Sequence, residues 1–175
     1  MKKISFLIYI LLFLFAVNSC QDNAVEPDAI PMTIEEMANT PGYLWIWEAL
    51  ETYQADTTVM SEIAARFDPN RDRFLIFSRA ACSCPTTEKS FTYIIKIFRD
   101  LGLDTNVYEL YAMTARANHH PYEGLFTLNE LPAIIYLRNG TPYYSLIDTL
   151  DWNIANNITY PLKTEELLLE ALKKQ

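Results

Sequence analysis

The chain has 175 residues, of which 14 are basic and 22 acidic, so its formal net charge at pH 7 is −8. An acidic chain of this kind does not suit nucleic-acid binding, because that function needs basic faces that neutralise phosphates. Half of the residues are hydrophobic, which is enough for the core of one domain.

The first residues form a targeting segment rather than part of the fold. Lys2 and Lys3 precede an apolar stretch over 4–17, which is shorter than the roughly 20 residues that a membrane-spanning helix needs. The residues "VNSC" at 17–20 resemble a lipobox, the motif of bacterial lipoprotein precursors. The resemblance implies cleavage before Cys20, acylation of that cysteine and a lipid anchor. The alternative is an ordinary secretory signal that happens to contain a cysteine.

We therefore predict a signal peptide over 1–19, a tether over 20–32 and one folded domain over 33–175. The tether is polar, contains two prolines and has no periodicity. By resemblance to the sorting rule of enteric lipoproteins, Gln21 favours the outer membrane, with the domain facing the periplasm or the cell surface. Loss of the signal peptide removes two lysines and leaves 12 basic against 22 acidic residues. The mature net charge of −10 would not hold the chain to an anionic bilayer, so the lipid must do so.

The first half of the domain is predicted to contain helices and one buried strand. Thr33 and Glu36 have capping-box spacing, so a short helix starts there and ends before Pro41. The aromatic run "YLWIW" (43–47) favours a strand, although Tyr43, Trp47 and Leu50 also fit one helix face. Asp56 can cap a helix with apolar residues at helical spacing, and "RFLIFS" (73–78) is typical of a strand buried on both faces.

The second half alternates strands and helices and then forms a hairpin. We predict the following elements: a helix from Pro85 to about Leu101 that Gly102 ends, a strand over 106–113, an irregular segment over 114–130, a hairpin turning at Asn139-Gly140, and a final amphipathic helix "TEELLLEALKKQ". This order predicts an α/β fold with a mixed central sheet and helices on both faces.

Two local signatures make the chain from about Tyr43 to its end resemble the thioredoxin-like superfamily. One is the strand, cysteine motif and long helix in "FLIFSRAACSCPTTEKSFTYIIKIF". The other is "LPAIIYLRNG", which is similar to the family's cis-proline segment. The resemblance implies that Pro132 follows a cis peptide bond and faces the cysteine motif, where it would shape a substrate cleft.

The cysteine motif departs from the usual pattern of that family. Most redox members have Cys-x-x-Cys, whereas this chain has Cys82 and Cys84 one residue apart. Either Cys82 matches the family's nucleophile, or Cys84 does, with Thr87 in place of the second cysteine. Many members also bury a carboxylate six residues before the first cysteine, a position that Ile76 or Ser78 occupies here.

Helix-start chemistry favours Cys84 as the attacking thiolate. Proline prefers the first helical position, so Pro85 makes Cys84 the N-cap. The orphan N–H groups and the helix dipole would then stabilise a thiolate at Cys84, and Arg79 could add positive charge. Cys82 would be the resolving partner. A Cys-x-Cys disulfide is expected to be strained and oxidising, so we expect the pair to oxidise or isomerise thiols in an extracytoplasmic protein partner.

Two other hypotheses stay open. Cys82 and Cys84 together with His119 or His120 could bind Cu(I) or, as a second choice, Zn²⁺. The copper site would resemble that of copper-delivery proteins with a thioredoxin fold. The chain could also be a binding module without catalysis. It has no glycine-rich phosphate loop, and we predict no organic cofactor.

Overall fold

The computed structural model describes residues 28–80, 87–103 and 105–174, and within them five strands and six α-helices. The strands are β1 (Ile30–Pro31), β2 (Asp72–Arg79), β3 (Tyr108–Met113), β4 (Ala133–Arg138) and β5 (Thr141–Ser145). The helices are α1 (Ile34–Ala38), α2 (Ile46–Thr52), α3 (Thr57–Arg66), α4 (Thr87–Asp100), α5 (Leu146–Ala155) and α6 (Thr164–Lys173). In these ranges no helix is long and apolar enough to cross a membrane.

The strands form one mixed sheet in the order β1-β3-β2-β4-β5. Strand β2 pairs in parallel with β3, placing Leu75 opposite Glu109, and antiparallel with β4, placing Leu75 opposite Ile135. The β4–β5 pair is an antiparallel hairpin, and Asn139 and Gly140 have the positive φ angles of its turn. The predicted α/β class, mixed sheet and hairpin are confirmed.

The two faces of β2 are both buried, as its continuous apolar run predicted. Phe74 and Ile76 point to one face, and Leu75 and Phe77 point to the other. Because successive side chains alternate across a strand, these residues belong to two separate core clusters.

The helices lie on one face of the sheet, which differs from the predicted arrangement on both faces. Buried side chains from all six described helices join the cluster that contains Phe74 and Ile76. The opposite cluster is completed by side chains of the irregular segment between β3 and β4, namely Tyr122, Phe126, Leu128 and Leu131. That segment has aromatic and leucine residues at irregular spacing, so it covers a sheet face without forming a helix.

Local capping explains where several predicted helices begin and end. Thr33 and Glu36 form the predicted capping box of α1, and Asp56 accepts hydrogen bonds from two backbone amides at the start of α3. Gly102 has φ +67° after α4, and the Leu103 amide donates to the Phe98 carbonyl at 2.9 Å. This left-handed ending favours glycine.

The predicted strand over 43–47 is wrong, because the chain there turns into α2. Tyr43, Ile46 and Leu50 are buried at helical spacing, whereas Trp47 is 38% exposed. Burial of that single face stabilises a helix over the aromatic strand propensity of the run.

Two elements were not predicted. Helix α5 follows the hairpin directly and buries Leu146, Ile147 and Leu150. Strand β1 pairs with β3 inside the stretch assigned to the tether, with Ile30 opposite Ala112. The folded part therefore starts before residue 33.

A buried carboxylate fixes the start of β2. Asp72 is 0% exposed and accepts hydrogen bonds from Arg71 at 2.8 Å and from the Tyr136 hydroxyl at 2.6 Å. Burial alone would raise the pKa of Asp72, but the hydrogen bonds from Arg71 and Tyr136 outweigh it and lower the pKa. Asp72 is therefore a satisfied structural anion.

We expect Tyr136→Phe to destabilise the domain by about 1–3 kcal/mol, since it removes a buried hydrogen bond to a charged acceptor. Urea unfolding at pH 7 measures the change. The matched control is Tyr143→Phe, because Tyr143 lies on β5 and is 39% exposed. Equal unfolding free energies for the two variants would contradict the role given to the buried phenol.

Candidate functional site

Several predicted site residues lie outside the described residues. These are the lipidation residue and the core of the cysteine motif: Cys20, Cys82, Cys84 and Pro85. Thr87 is the first residue of α4 in the described range, and Arg79 is the last residue of β2. The cysteine motif therefore belongs to the connection between the carboxyl end of β2 and α4, in the predicted order of strand, motif and helix.

The predicted cis-proline is present. The Leu131–Pro132 peptide bond is cis, as the resemblance implied. Ala133, the next residue, pairs with Phe77, which lies two residues before the end of β2. Pro132 therefore lies at the end of the sheet where β2 leads into the cysteine connection.

The position six residues before the first cysteine holds no carboxylate in either register. Ile76 is 0% exposed and Ser78 is 3% exposed, and both are in β2. A proton acceptor for the cysteines would have to come from elsewhere in the chain.

His120 lies in an aromatic layer beneath the end of β2. Its ring centroid is 5.1 Å from that of Phe77 and 5.4 Å from that of Phe126. The Tyr122 amide donates to His120 Nδ1 at 3.3 Å. Burial lowers the pKa of His120, although the charge of Glu123 opposes the change, so the neutral ring is favoured.

His119 is exposed and has a different environment. Its Nδ1 contacts the Glu123 carboxylate at 2.9 Å, and its carbonyl accepts a hydrogen bond from the Ala29 amide at 2.8 Å. A carboxylate that accepts from Nδ1–H leaves Nε2 as the basic nitrogen, which is the arrangement usual for metal-binding histidines. In His120, by contrast, Nδ1 is the acceptor, so Nε2 carries the proton.

The described ranges contain no group of three or more His, Cys, Asp or Glu side chains that could hold a metal ion. Because both cysteines of the copper hypothesis lie outside these ranges, the copper hypothesis stays a prediction. Of the two histidines, the hydrogen bonding favours His119 as a ligand.

A pair of carboxyl groups next to the cis-proline was missed by the sequence analysis. Glu130 lies two residues before Pro132, and its hydrogen bond to Asp151 raises its pKa to about 7. Burial and the negative charges of Asp151 and Asp148 act in the same direction. Asp148 also accepts a hydrogen bond from Asn129 at 2.9 Å. Glu130 and Asp151 come together only through the packing of α5, so no local sequence motif predicts their contact.

We expect one carboxyl group near the cis-proline to titrate close to pH 7. Carbon-13 NMR of the labelled protein should assign this midpoint to Glu130, and Asp151→Asn should move it toward the ordinary glutamate pKa of 4.5. The pKa of Glu130 should fall because the variant lacks both the carboxylate that shares its proton and the negative charge of Asp151.

Glu123 is the internal control for that titration. A hydrogen bond from His119 lowers the pKa of Glu123, so its carboxyl should titrate below 4.5 in both proteins. A spectrum with no glutamate midpoint above pH 6 would rule out the shared proton.

No protein-family model, curated protein or solved structure gives a significant match to this chain. What the chain does must therefore be inferred from its own residues.

Proposed function

We propose that this chain is a lipid-anchored bacterial protein whose thioredoxin-like domain exchanges thiols and disulfides through Cys84 and Cys82. The observation that carries the proposal is the position of Pro132, which directly precedes β4 at the sheet end where β2 leads into the cysteine connection. This is the position that the resemblance implies for the proline that faces the cysteine motif.

The order of the elements also supports a thioredoxin-like domain. A parallel β2–β3 pair flanks the cysteine motif and α4, and an antiparallel β4–β5 hairpin follows the cis-proline. One feature departs from the expected architecture, since an irregular segment rather than a helix covers the second face. The irregular segment leads directly into Pro132 and β4, whose first residue Ala133 pairs with Phe77.

The chemistry of the pair rests on the predicted start of the helix at Pro85, which lies outside the described residues. An N-cap thiolate at Cys84 would accept from orphan amides and lie at the positive end of the helix dipole. Both effects lower the pKa of a cysteine and raise its thiolate fraction at neutral pH. Arg79, which ends β2 shortly before the motif, carries positive charge at the same end of the sheet.

In the oxidising direction, a partner thiolate attacks the Cys84 sulfur of a Cys82–Cys84 disulfide. A mixed disulfide forms between the partner and Cys84, and Cys82 leaves as a thiolate that takes up a proton. A second partner thiolate then attacks the partner sulfur of the mixed disulfide, and Cys84 leaves. The partner dithiol loses two electrons, and the cysteine pair gains them. Exchange with another extracytoplasmic disulfide would reoxidise the pair.

The partner is a thiol- or disulfide-containing protein outside the cytoplasm, where disulfides persist. The cleft that receives it would be bordered by Pro132 and by the Glu130–Asp151 pair. The hydrogen bond to Asp151 raises the pKa of Glu130 to about 7, so Glu130 would be suited to exchange a proton with a leaving thiolate.

We expect the two cysteine variants to behave oppositely toward a disulfide-containing peptide. Reduced Cys82→Ser retains the attacking thiolate but cannot resolve, so it should accumulate a mixed disulfide with one peptide per chain. Cys84→Ser should accumulate about tenfold less, because it has lost the activated thiolate. Intact mass measured without reductant distinguishes the two.

Iodoacetamide trapping of the wild-type protein across a series of redox buffers is the companion measurement. A pair that never interconverts between pH 6 and 8, together with no trapped peptide in either variant, would reject thiol-disulfide exchange. If the wild-type protein instead binds Cu(I) in an anaerobic titration, and Cys84→Ser binds it more weakly, we would assign copper binding in place of thiol-disulfide exchange. The hydrogen bond between His119 and Glu123 is the observation that favours this second function.

We expect Cys20→Ala to abolish lipid attachment. In a bacterium that processes lipoproteins, the variant should incorporate no labelled palmitate and should keep its signal peptide, because Cys20 provides the acylated sulfur. Cys82→Ala is the matched control and should be labelled like the wild type. Palmitate incorporation into Cys20→Ala would show that the lipobox resemblance is misleading.

A further inference from the structure

A groove of about 500 Å³ lies between α5 and α6. It shares helix α5 with Asp151, the partner of Glu130. Its lining combines aromatic rings with polar and charged side chains from both helices and from the end of β5. The volume falls in the range of 300–1,000 Å³ that is usual for small-molecule sites.

One lining residue has an unsatisfied polar group. The Ser145 hydroxyl oxygen is buried and has no hydrogen-bond partner among the described residues. Ser145 is the N-cap of α5, yet its side chain does not cap the helix as serine usually does. Buried hydroxyl groups nearly always have a partner, so a ligand that offers a hydrogen bond would satisfy this one.

The carboxylates of the groove come from opposite walls and are held in place. Asp148 of α5 accepts from Asn129 at 2.9 Å. Glu170 of α6 accepts on Oε1 from the Tyr160 hydroxyl at 3.2 Å and from the Lys173 ammonium at 3.5 Å. Both groups remain acceptors for further hydrogen bonds, since an ionised carboxylate has about four lone-pair sites.

The carboxylates of Asp148 and Glu170 line the groove together with the ammonium group of Lys174, which lies 4.4 Å from the centroid of the Tyr144 ring. A second ammonium group, that of Lys173, lies 3.5 Å from Glu170. These two positive charges offset the two negative charges, so the four groups give a charged ligand of either sign no net attraction. A purely apolar ligand would remove the carboxylates from water without replacing their hydrogen bonds, which costs free energy. The ligand that fits is neutral and rich in hydroxyl groups.

An exposed indole completes the lining. Trp152 is 60% exposed on α5 and lines the groove, and Ile154 of the same helix, 55% exposed, does not line it. The ring of Tyr160, 48% exposed, lies next to the groove through its hydrogen bond to Glu170. An aromatic face beside carboxylate acceptors suits a ring that has an apolar C–H face and a hydroxyl edge.

From the exposed Trp152 ring, the opposed carboxylates and the unsatisfied Ser145 hydroxyl, we infer that this groove binds a neutral saccharide. The indole stacks on one face of a sugar ring. Asp148 and Glu170 accept hydrogen bonds from its hydroxyl groups, and Ser145 pairs with a further hydroxyl. Neither cysteine is among the described residues that line the groove, so we expect a Cys84→Ser protein to retain the binding.

The test uses the mature chain in a detergent without a sugar headgroup, because glycosidic detergents would compete for the groove. An array of neutral, sulfated and amine-bearing oligosaccharides identifies the ligand, and calorimetry with the best neutral oligosaccharide gives its affinity. We expect binding to neutral members and a roughly tenfold loss of affinity in Trp152→Ala, from the lost stacking contact. Ser145→Ala should weaken binding by a smaller factor.

Trp47→Ala is the matched control, since it removes an exposed indole from α2 rather than from the groove, and its affinity should equal that of the wild type. Unfolding midpoints of all variants establish that they are folded. The proposal is overturned by an absence of binding to every neutral oligosaccharide, by binding to charged members alone, or by an undiminished affinity in a folded Trp152→Ala.

Discussion

The double burial of β2 is the constraint on which the rest of the fold depends. This strand pairs on both edges, with β3 and β4, and places apolar side chains in two cores at once. Because its register with β4 is fixed by both faces, Ala133 must lie opposite Phe77. That pairing brings Pro132 to the end of β2, so the geometry of the candidate site is set by core packing and not by the cysteines themselves.

Tyrosine hydroxyl groups donate hydrogen bonds to several carboxylates of this acidic chain. Asp72 accepts from Tyr136, Glu165 accepts from Tyr53, and Glu109 accepts from both Tyr111 and Tyr122 at 2.7 and 2.6 Å. The burial of each phenol and its neighbouring carboxylate raise the pKa of the tyrosine, to about 12 for Tyr122 and Tyr136. Neutral donors thus stabilise internal anions where basic residues are few.

The sequence predicted those elements whose signal is local. The capping box at Thr33, the Asn139-Gly140 turn and the apolar face of α4 each determine their structure through near neighbours, and all are confirmed. The run over 43–47 was misread because aromatic residues favour strands, whereas burial of one side against α4 decides the outcome there. Helix α5 was missed since its first buried residues continue the apolar pattern of β5 without a break.

The residues of the candidate site were likewise predictable only where the sequence signal is local. The cis bond before Pro132 was predictable from a short motif, whereas the Glu130–Asp151 pair and the α5–α6 groove are formed by residues distant in sequence. Strand β1 was not predicted, because two residues, one of them a proline, are too few to show the alternating pattern of a strand. Pairing with β3, rather than propensity, holds it in place.

Helices cover one face of the sheet and an irregular segment covers the other, and this difference affects how the sequences of relatives could diverge. A helix packed on a strand must keep its apolar spacing, so inserting one residue rotates every later side chain away from the core. The segment that covers Phe77 and Tyr111 has no such periodicity, and it can gain or lose residues while its few aromatic side chains stay in contact with the strands. One side of the sheet would thus be conserved in spacing, and the other would vary in length.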